Sequence, residues 1–371
     1  MKKVGIVTLS ASDNCGSLLQ TFALQEILEK KCKCDVSVID LKTEQSDYIY
    51  KLFPKGFYKH PKKTLFTIFH IWSITKQKRG YERFRKIYLN MTKDTYRTAN
   101  DINEIVNDYD ILVAGSDQVW NVYMSDYDDS FFLPWKMRGK KVAYAASLGS
   151  TYIIDEEKKK YLKKWLNDFD MISVREESGR KTIQDLTANE VLISADPTLL
   201  LSQDKWNALA GVRYIEKPYI FFYSWAYPDE EMNRIVQKFA KEKNMDVYVI
   251  NSSKWYKYRP YEFDFHLFPE SGPNVFLNLM KYAEYVFVQS FHGTVFANIF
   301  HKRFFFLSEN GKHNVDFRSE SLLRILNEEK QVIGNYDDIE EAMNSALEFE
   351  SKELRKLSEG SLDFLKLAVG D

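Results

Sequence analysis

The chain has only three cysteines in 371 residues, Cys15, Cys32 and Cys34. Three thiols build no disulfide framework. Cys32-Lys33-Cys34 lacks the two-residue spacer of a metal-gripping pair and has no second pair to match it, which argues against a metal site. A reducing cytoplasm is the simplest location for such a chain. Long apolar runs are missing too: no stretch approaches the roughly 20 apolar residues of a membrane span. The opening MKKVGIVTLSASDNCGS has two lysines but then too short an apolar run for a signal peptide. Excess charge of one sign is absent. Lys and Arg number 52, Asp and Glu 53, and the net charge of −1 speaks against a dedicated nucleic-acid binder. No internal repeat of fixed period is visible.

What is present is a folded composition, 44% hydrophobic and 28% charged, long enough for two cores. Short runs rich in β-branched and aromatic residues alternate with helical stretches. The spacing predicts strands at 3–9, 35–40, 110–114, 141–145, 171–174 and 191–194, then at 219–224, 246–250, 285–288 and 303–307. Each run is continuously apolar, as in strands buried on both faces of a parallel sheet. Helices are expected at 16–31, where Leu18, Leu19, Phe22, Ala23, Ile27 and Leu28 share one face, and at 230–243, 274–283 and 294–301. The fold class is therefore α/β: two Rossmann-like, doubly wound domains facing a cleft. Asp196-Pro197 biases the chain toward an extended turn and marks the junction. The expected domains are 1–205, 206–335 and a helical tail, 336–371, packing back.

Residues 51–86 form a basic aromatic insertion assigned to the first domain. Lys51, Lys59, Lys62, Lys76, Arg79, Arg83 and Arg85 are among its cations, against the single acid Glu82. Phe53, Phe57, Phe66, Phe69 and Trp72 lie between them. Such a segment can lie on an anionic membrane surface. An amphipathic helical pair with a merely solvated charged face is the plainer reading, and the preferred one.

Ligands of doubly wound sheets bind beyond the carboxyl ends of the strands. After the first strand, Asn14, Gly16 and Ser17 could present backbone amides to a phosphate or contact an acceptor, or could simply cap the next helix. The segment is neither GxGxxG nor a Walker loop. After the third strand, Ser116, Asp117, Gln118 and Asn121 crowd a strand-to-helix turn, more polar groups than capping needs, and suit a hydroxyl-rich ligand. Arg175 leaves a buried strand and needs an anion, either Glu176 or Glu177 or a bound phosphate or carboxylate. In YVFVQSFHGTVFANIF, residues 285–288 read as strand, 289–293 as turn, and Thr294 opens the helix. His292 would then project at the strand end, where it can donate to an anion or pass a proton.

These residues together carry a resemblance. The segments NCGSLLQ at 14–20, GSDQVWN at 115–121, YAASLG at 144–149, VREES at 174–178, DPT at 196–198 and SFHGT at 290–294 occur in an order that resembles the polysaccharide pyruvyl transferase family. The resemblance implies a GT-B-like fold. It also implies transfer of pyruvate from phosphoenolpyruvate to two hydroxyls of a sugar, giving a cyclic ketal and phosphate. Acceptors in such a family are hexoses of surface polysaccharides, often on a lipid diphosphate. Phosphoenolpyruvate is a co-substrate, and neither cofactor, metal nor nucleic acid is expected. The expected partner is a glycan, with peripheral contact at the inner face of a membrane. Arg175 matches the family's arginine after the strand and would hold the donor's anionic groups. His292 matches the histidine of the family's RxHG turn, beside Ser290, Gly293 and Thr294, as general acid or phosphate ligand. Asp117 is the expected acceptor-side base. Arg175 and His292 would converge on one small anion. Many members carry arginine where this chain has Ser290, so Arg318 or Lys312 would supply the missing charge. Many also carry an aromatic residue at the position of Cys15.

Two other functions fit the same elements. A GT-B-like glycosyltransferase using a nucleotide sugar would need a carboxylate on the ribose hydroxyls, for which Glu270 lies in a suitable loop. A non-catalytic glycan-binding relative would explain Ser290.

Overall fold

Each predicted strand forms where an apolar run ends in a polar loop. The computed structural model describes residues 1–53, 56–149, 155–224, 229–251, 255–257, 259–309 and 315–370. The chain divides into two compact units. One comprises Met1–Leu65, Phe84–Leu201 and Leu354–Asp371; the other comprises Phe66–Arg83 and Ser202–Glu353.

In chain order the elements before the junction are β1 (Lys3–Val7), α1 (Cys15–Lys30), β2 (Asp35–Leu41), α2 (Glu44–Tyr50), α3 (Pro61–Phe69), α4 (Ile71–Tyr88), β3 (Met91–Tyr96), α5 (Ala99–Asn103), β4 (Ile111–Asp117), β5 (Lys140–Ala146), α6 (Glu156–Leu166), β6 (Met171–Val174), α7 (Glu177–Gln184) and β7 (Val191–Ile193). They build a seven-stranded parallel sheet in the order β3-β2-β1-β4-β5-β6-β7. Alternate side chains fill its two faces. Val4, Ile6, Val113 and Tyr144 pack with Leu24 and Ile27 of α1 on one face. Val7, Leu112 and Ala143 pack with Trp120, Phe132 and Leu162 on the other.

Beyond the junction run α8 (Gln203–Ala210), β8 (Tyr219–Tyr223), α9 (Glu230–Lys243), β9 (Asp246–Val249), β10 (Phe265–Leu267), α10 (Pro273–Tyr282), β11 (Tyr285–Val288), α11 (Phe291–Ile299), β12 (Arg303–Leu307), α12 (Phe317–Ile325), β13 (Val332–Ile333), α13 (Asp338–Asn344) and α14 (Lys352–Val369). The second sheet is six-stranded and parallel, in the order β10-β9-β8-β11-β12-β13. Phe222, Phe287 and Phe305 meet Phe239 of α9 on one face. The edge strands β3, β10 and β13 were not anticipated from the sequence.

Two segments cross the expected boundaries. The basic insertion is divided: Phe66–Arg83 belongs to the second unit. There Gln77 donates to the Phe268 carbonyl at 2.8 Å, and Tyr81 meets the Ser271 hydroxyl at 3.0 Å. A Cβ on Gly80 would stand 1.7 Å from the Ser271 carbonyl oxygen, so only glycine lets α4 approach this closely. The tail also divides. Helix α13 stays with the second unit, while Phe364, Leu365, Ala368 and Val369 of α14 complete the core of the first.

One buried acid makes the second unit pH-sensitive. Glu328 is 1% exposed, and burial pushes its carboxyl up to about 8, only partly opposed by Asn298, the Glu348 backbone and Arg303. The folded state thus prefers the protonated acid. The contribution of Glu328 to stability is full below about 4.5, falls as the unfolded chain ionises, and is lost by about pH 8. The slope is at most ~1.4 kcal/mol per pH unit. Glu328→Gln is therefore expected to raise the melting temperature at pH 8 and leave it nearly unchanged at pH 4.5; calorimetry at both pH values checks this.

Candidate functional site

In the first sheet the chain leaves β1 toward β2 but leaves β4 toward β5. The loops after these neighbouring strands diverge, the usual place for a ligand in such a sheet. Asn14 caps α1, its side-chain oxygen accepting from Gly16 N at 2.8 Å and Ser17 N at 3.3 Å. Of the two functions open to this loop, capping is the one Asn14 performs. Ser17 turns elsewhere: its hydroxyl donates to Asp117 at 2.5 Å, joining the loop after β1 to the end of β4. Asp117 has φ 88, a left-handed conformation that costs a non-glycine residue on the order of 1 kcal/mol. Such a backbone persists only where the surrounding structure holds it, here through Ser17.

The other turn residues are held by the protein itself. The Gln118 and Asn121 amides bond each other at 3.1 Å. A Cβ on Gly149, at φ +68, would lie 2.3 Å from Gln118 Oε1 and 2.8 Å from Asn121 Nδ2, so glycine there lets both amides settle. Ser116 accepts from Arg175 at 2.7 Å.

Arg175 corrects the sequence reading. Its partner is neither Glu176 nor Glu177 but Asp196, at 2.7 Å, with side-chain exposures of 2% and 0%. Asp196 also accepts from the Thr198 backbone N–H at 2.9 Å and the Thr198 hydroxyl at 2.5 Å. Glu176 instead accepts from the Ser147 hydroxyl and Leu148 N, and Glu177 pairs with Arg180. The guanidinium expected to face a donor anion thus sits inside the first unit against a buried carboxylate, tying the ends of β4 and β6 to the turn after β7.

Sequence reasoning missed two features here. Arg85, counted only as a basic residue, donates to the Ser10, Ala11 and Ser12 carbonyls and pairs with Asp13 at 2.8 Å. It braces the whole loop after β1. No local signal could show this, because the contact spans more than seventy residues. Beside that loop a small recess is lined by Thr8, Ser12, Thr43, Ser46, Tyr50 and Asp126. Tyr50 donates to Asp126 at 2.5 Å, and burial raises the Asp126 carboxyl's pKa.

In the second sheet the chain reverses between β8 and β11. Ser224 donates to Gln289 at 2.6 Å, and Gln289 donates to Glu309 at 3.2 Å, linking the ends of three strands. Ser290 then caps α11, accepting from Gly293 N at 3.1 Å. The helix therefore begins at Phe291, three residues earlier than expected, and His292 lies in its first turn rather than projecting from the strand. Gly293 and Thr294 serve the cap; the Thr294 hydroxyl donates to the Ser290 carbonyl at 3.2 Å. The His292 ring is 5.2 Å from that of Phe291, and the Arg318 guanidinium lies 5.9 Å from the same Phe291 ring. Arg318 is oriented by Asp316 at 3.1 Å. An imidazole in the first turn of α11 and a guanidinium from the next helix thus both lie against Phe291. Lys312 lies outside the described residues. Glu270 is exposed and pairs with Lys76 at 3.7 Å. Among the described residues, no group of three or more His, Cys, Asp or Glu is placed to hold a metal.

Two parallel sheets with intervening helices define the class: a two-domain, Rossmann-like α/β protein of GT-B type. Solved structures agree. A putative UDP-N-acetylglucosamine 2-epimerase from Listeria monocytogenes aligns with TM-score 0.55 and 11% identity, over 99% of this chain and 91% of that one. The S. aureus MnaA–UDP co-structure aligns with TM-score 0.54 and 11% identity, over 97% and 94%. A glycosyltransferase from Rickettsia africae aligns with TM-score 0.51 and 11% identity, over 99% and 95%. At such identities the likeness concerns the fold. No curated protein matches the sequence. A sequence model of polysaccharide pyruvyl transferases matches residues 14–311, and the chain belongs to that family.

Proposed function

We propose that this protein transfers pyruvate from phosphoenolpyruvate to two hydroxyls of a hexose in a surface polysaccharide or its lipid-linked precursor. The observation that carries the reading is the place of His292 in the first turn of α11, with the Arg318 guanidinium against the neighbouring Phe291 ring, in a chain of this family. Arg318 supplies the charge that Ser290 does not, and with the first turn of α11 it holds the donor's phosphate. His292 delivers a proton to the methylene carbon of the enol. The carbon bearing the phosphate becomes cationic, and one sugar oxygen adds to it. The C–O bond to phosphate then breaks, the second sugar oxygen adds, and the ketal closes. Of the two hydroxyl protons lost, one balances that delivered to carbon and the other leaves on phosphate. Asp117, held by Ser17, accepts from the attacking hydroxyl. Arg175 acts as a positioning residue for Ser116, next to Asp117. A lipid-borne acceptor would place the reaction at the cytoplasmic face of a membrane.

Incubation with phosphoenolpyruvate and a panel of lipid-linked glycans should release phosphate, with donor binding visible by calorimetry. Stabilisation by a nucleoside diphosphate, with none by phosphoenolpyruvate and no phosphate release, would favour the nucleotide-sugar reading instead. Asp117→Asn keeps an oxygen for Ser17 but removes the base. It is expected to lower kcat on the order of 10²–10⁴-fold with little change in KM for the donor. Steady-state kinetics check it.

A further inference from the structure

The α3–α4 corner of the second unit exposes three large apolar side chains. Trp72 is 87% exposed, Phe69 79% and Ile68 51%. Exposed aromatics on a loose segment would mean little, but this corner is fixed. His70 stacks on Tyr256 with ring centroids 3.6 Å apart, Thr67 and Gln77 are buried, and Gly80 touches backbone at Ser271. The same packing that buries one face of α4 therefore displays the other.

That other face has a composition of its own. Trp72, Lys76, Arg79 and Arg83 follow at spacings of four, three and four, which lie along one helical stripe. All four are exposed. Glu82 lies off this stripe, and Glu270 beside Lys76 is the acid the structure sets against it. A solvated charged face, the plainer sequence reading, predicts cations here but not the aromatic cluster at the corner. A second copy of the chain would bring one basic stripe against another. The complementary surface is negative and accepts aromatic rings at its boundary, as an anionic lipid bilayer does.

We infer that the Ile68–Phe69–Trp72 corner and the Lys76–Arg79–Arg83 stripe dock the protein peripherally on an anionic membrane. No helix among the described residues is long and apolar enough to cross one, so the association is with the surface. The inference deepens the proposed function by saying how a lipid-borne acceptor is met, and it rests on that reading for the acceptor alone. Docking is measured without donor or acceptor, so the two ideas fail separately.

The test is cosedimentation of the full chain with vesicles. It should bind vesicles containing about 30 mol% phosphatidylglycerol and not pure phosphatidylcholine. Phe69→Ser with Trp72→Ser should lower the bound fraction at least ~10-fold, and Arg79→Glu with Arg83→Glu by a similar factor. Both pairs are surface changes, so melting temperatures should match wild type. Brominated acyl chains should quench tryptophan fluorescence in the wild type and much less in Trp72→Phe. Absence of vesicle binding, or binding that survives both double substitutions, overturns the inference. So does a concentration-dependent dimer, seen by light scattering, that Phe69→Ser with Trp72→Ser abolishes.

Discussion

Arg175→Ala is expected to destabilise the first unit by about 3–5 kcal/mol, because it strands the Asp196 carboxylate without its cation in the interior. Asp196→Ala should cost a similar amount for the opposite reason, and it also releases Thr198. Replacing both partners by apolar residues, Arg175→Met with Asp196→Leu, should recover much of the loss, since no charge then needs solvent. Calorimetry on the three variants distinguishes this from a donor-binding role. A ligand arginine predicts the contrary pattern: Arg175→Ala would keep its melting temperature while KM for phosphoenolpyruvate rose tenfold or more. That result would return Arg175 to the donor.

His292→Ala is expected to lower kcat/KM for phosphoenolpyruvate on the order of 10²–10⁴-fold, the range for a positioned acid or base. His292 is 7% exposed, so removal of its side chain also leaves a cavity. His292→Gln, which fills the space and keeps hydrogen bonding but cannot carry the proton, separates the two effects. It should keep the wild-type melting temperature and still lose activity. If His292→Gln retains full phosphate release, the imidazole is not the acid. If neither variant alters the protein's cellular role, the non-catalytic reading prevails.

Much of the architecture was legible because buried parallel strands advertise themselves. VGIV, ILVA and YVFV are continuous apolar runs, and each forms a central strand. Edges did not advertise: β3 reads MTKDTY with its middle residues exposed, and β10 and β13 are three and two residues long. The helix α11 starts three residues before the expected Thr294 because Ser290, rather than a turn through Gly293, opens it as a cap. Glu176 and Glu177 were natural partners for Arg175 by proximity along the chain, yet Asp196 wins because β6 and β7 are neighbours in the sheet and their ends meet. The same limit hid Arg85. Sequence shows which groups need partners; only the fold shows which partner arrives.

The interlacing of the units bears on how the molecule is made. Residues 354–371 close the first core, yet they follow the second unit in the chain. A ribosome thus releases the second unit's sheet while the first still has an apolar slot open where Phe364 and Leu365 will lie. The second unit in turn borrows 66–83 from the interior of the first. Cutting the gene at the junction after Leu201 would consequently yield one fragment without the helix that completes its core and another without the 66–83 stretch that packs on it.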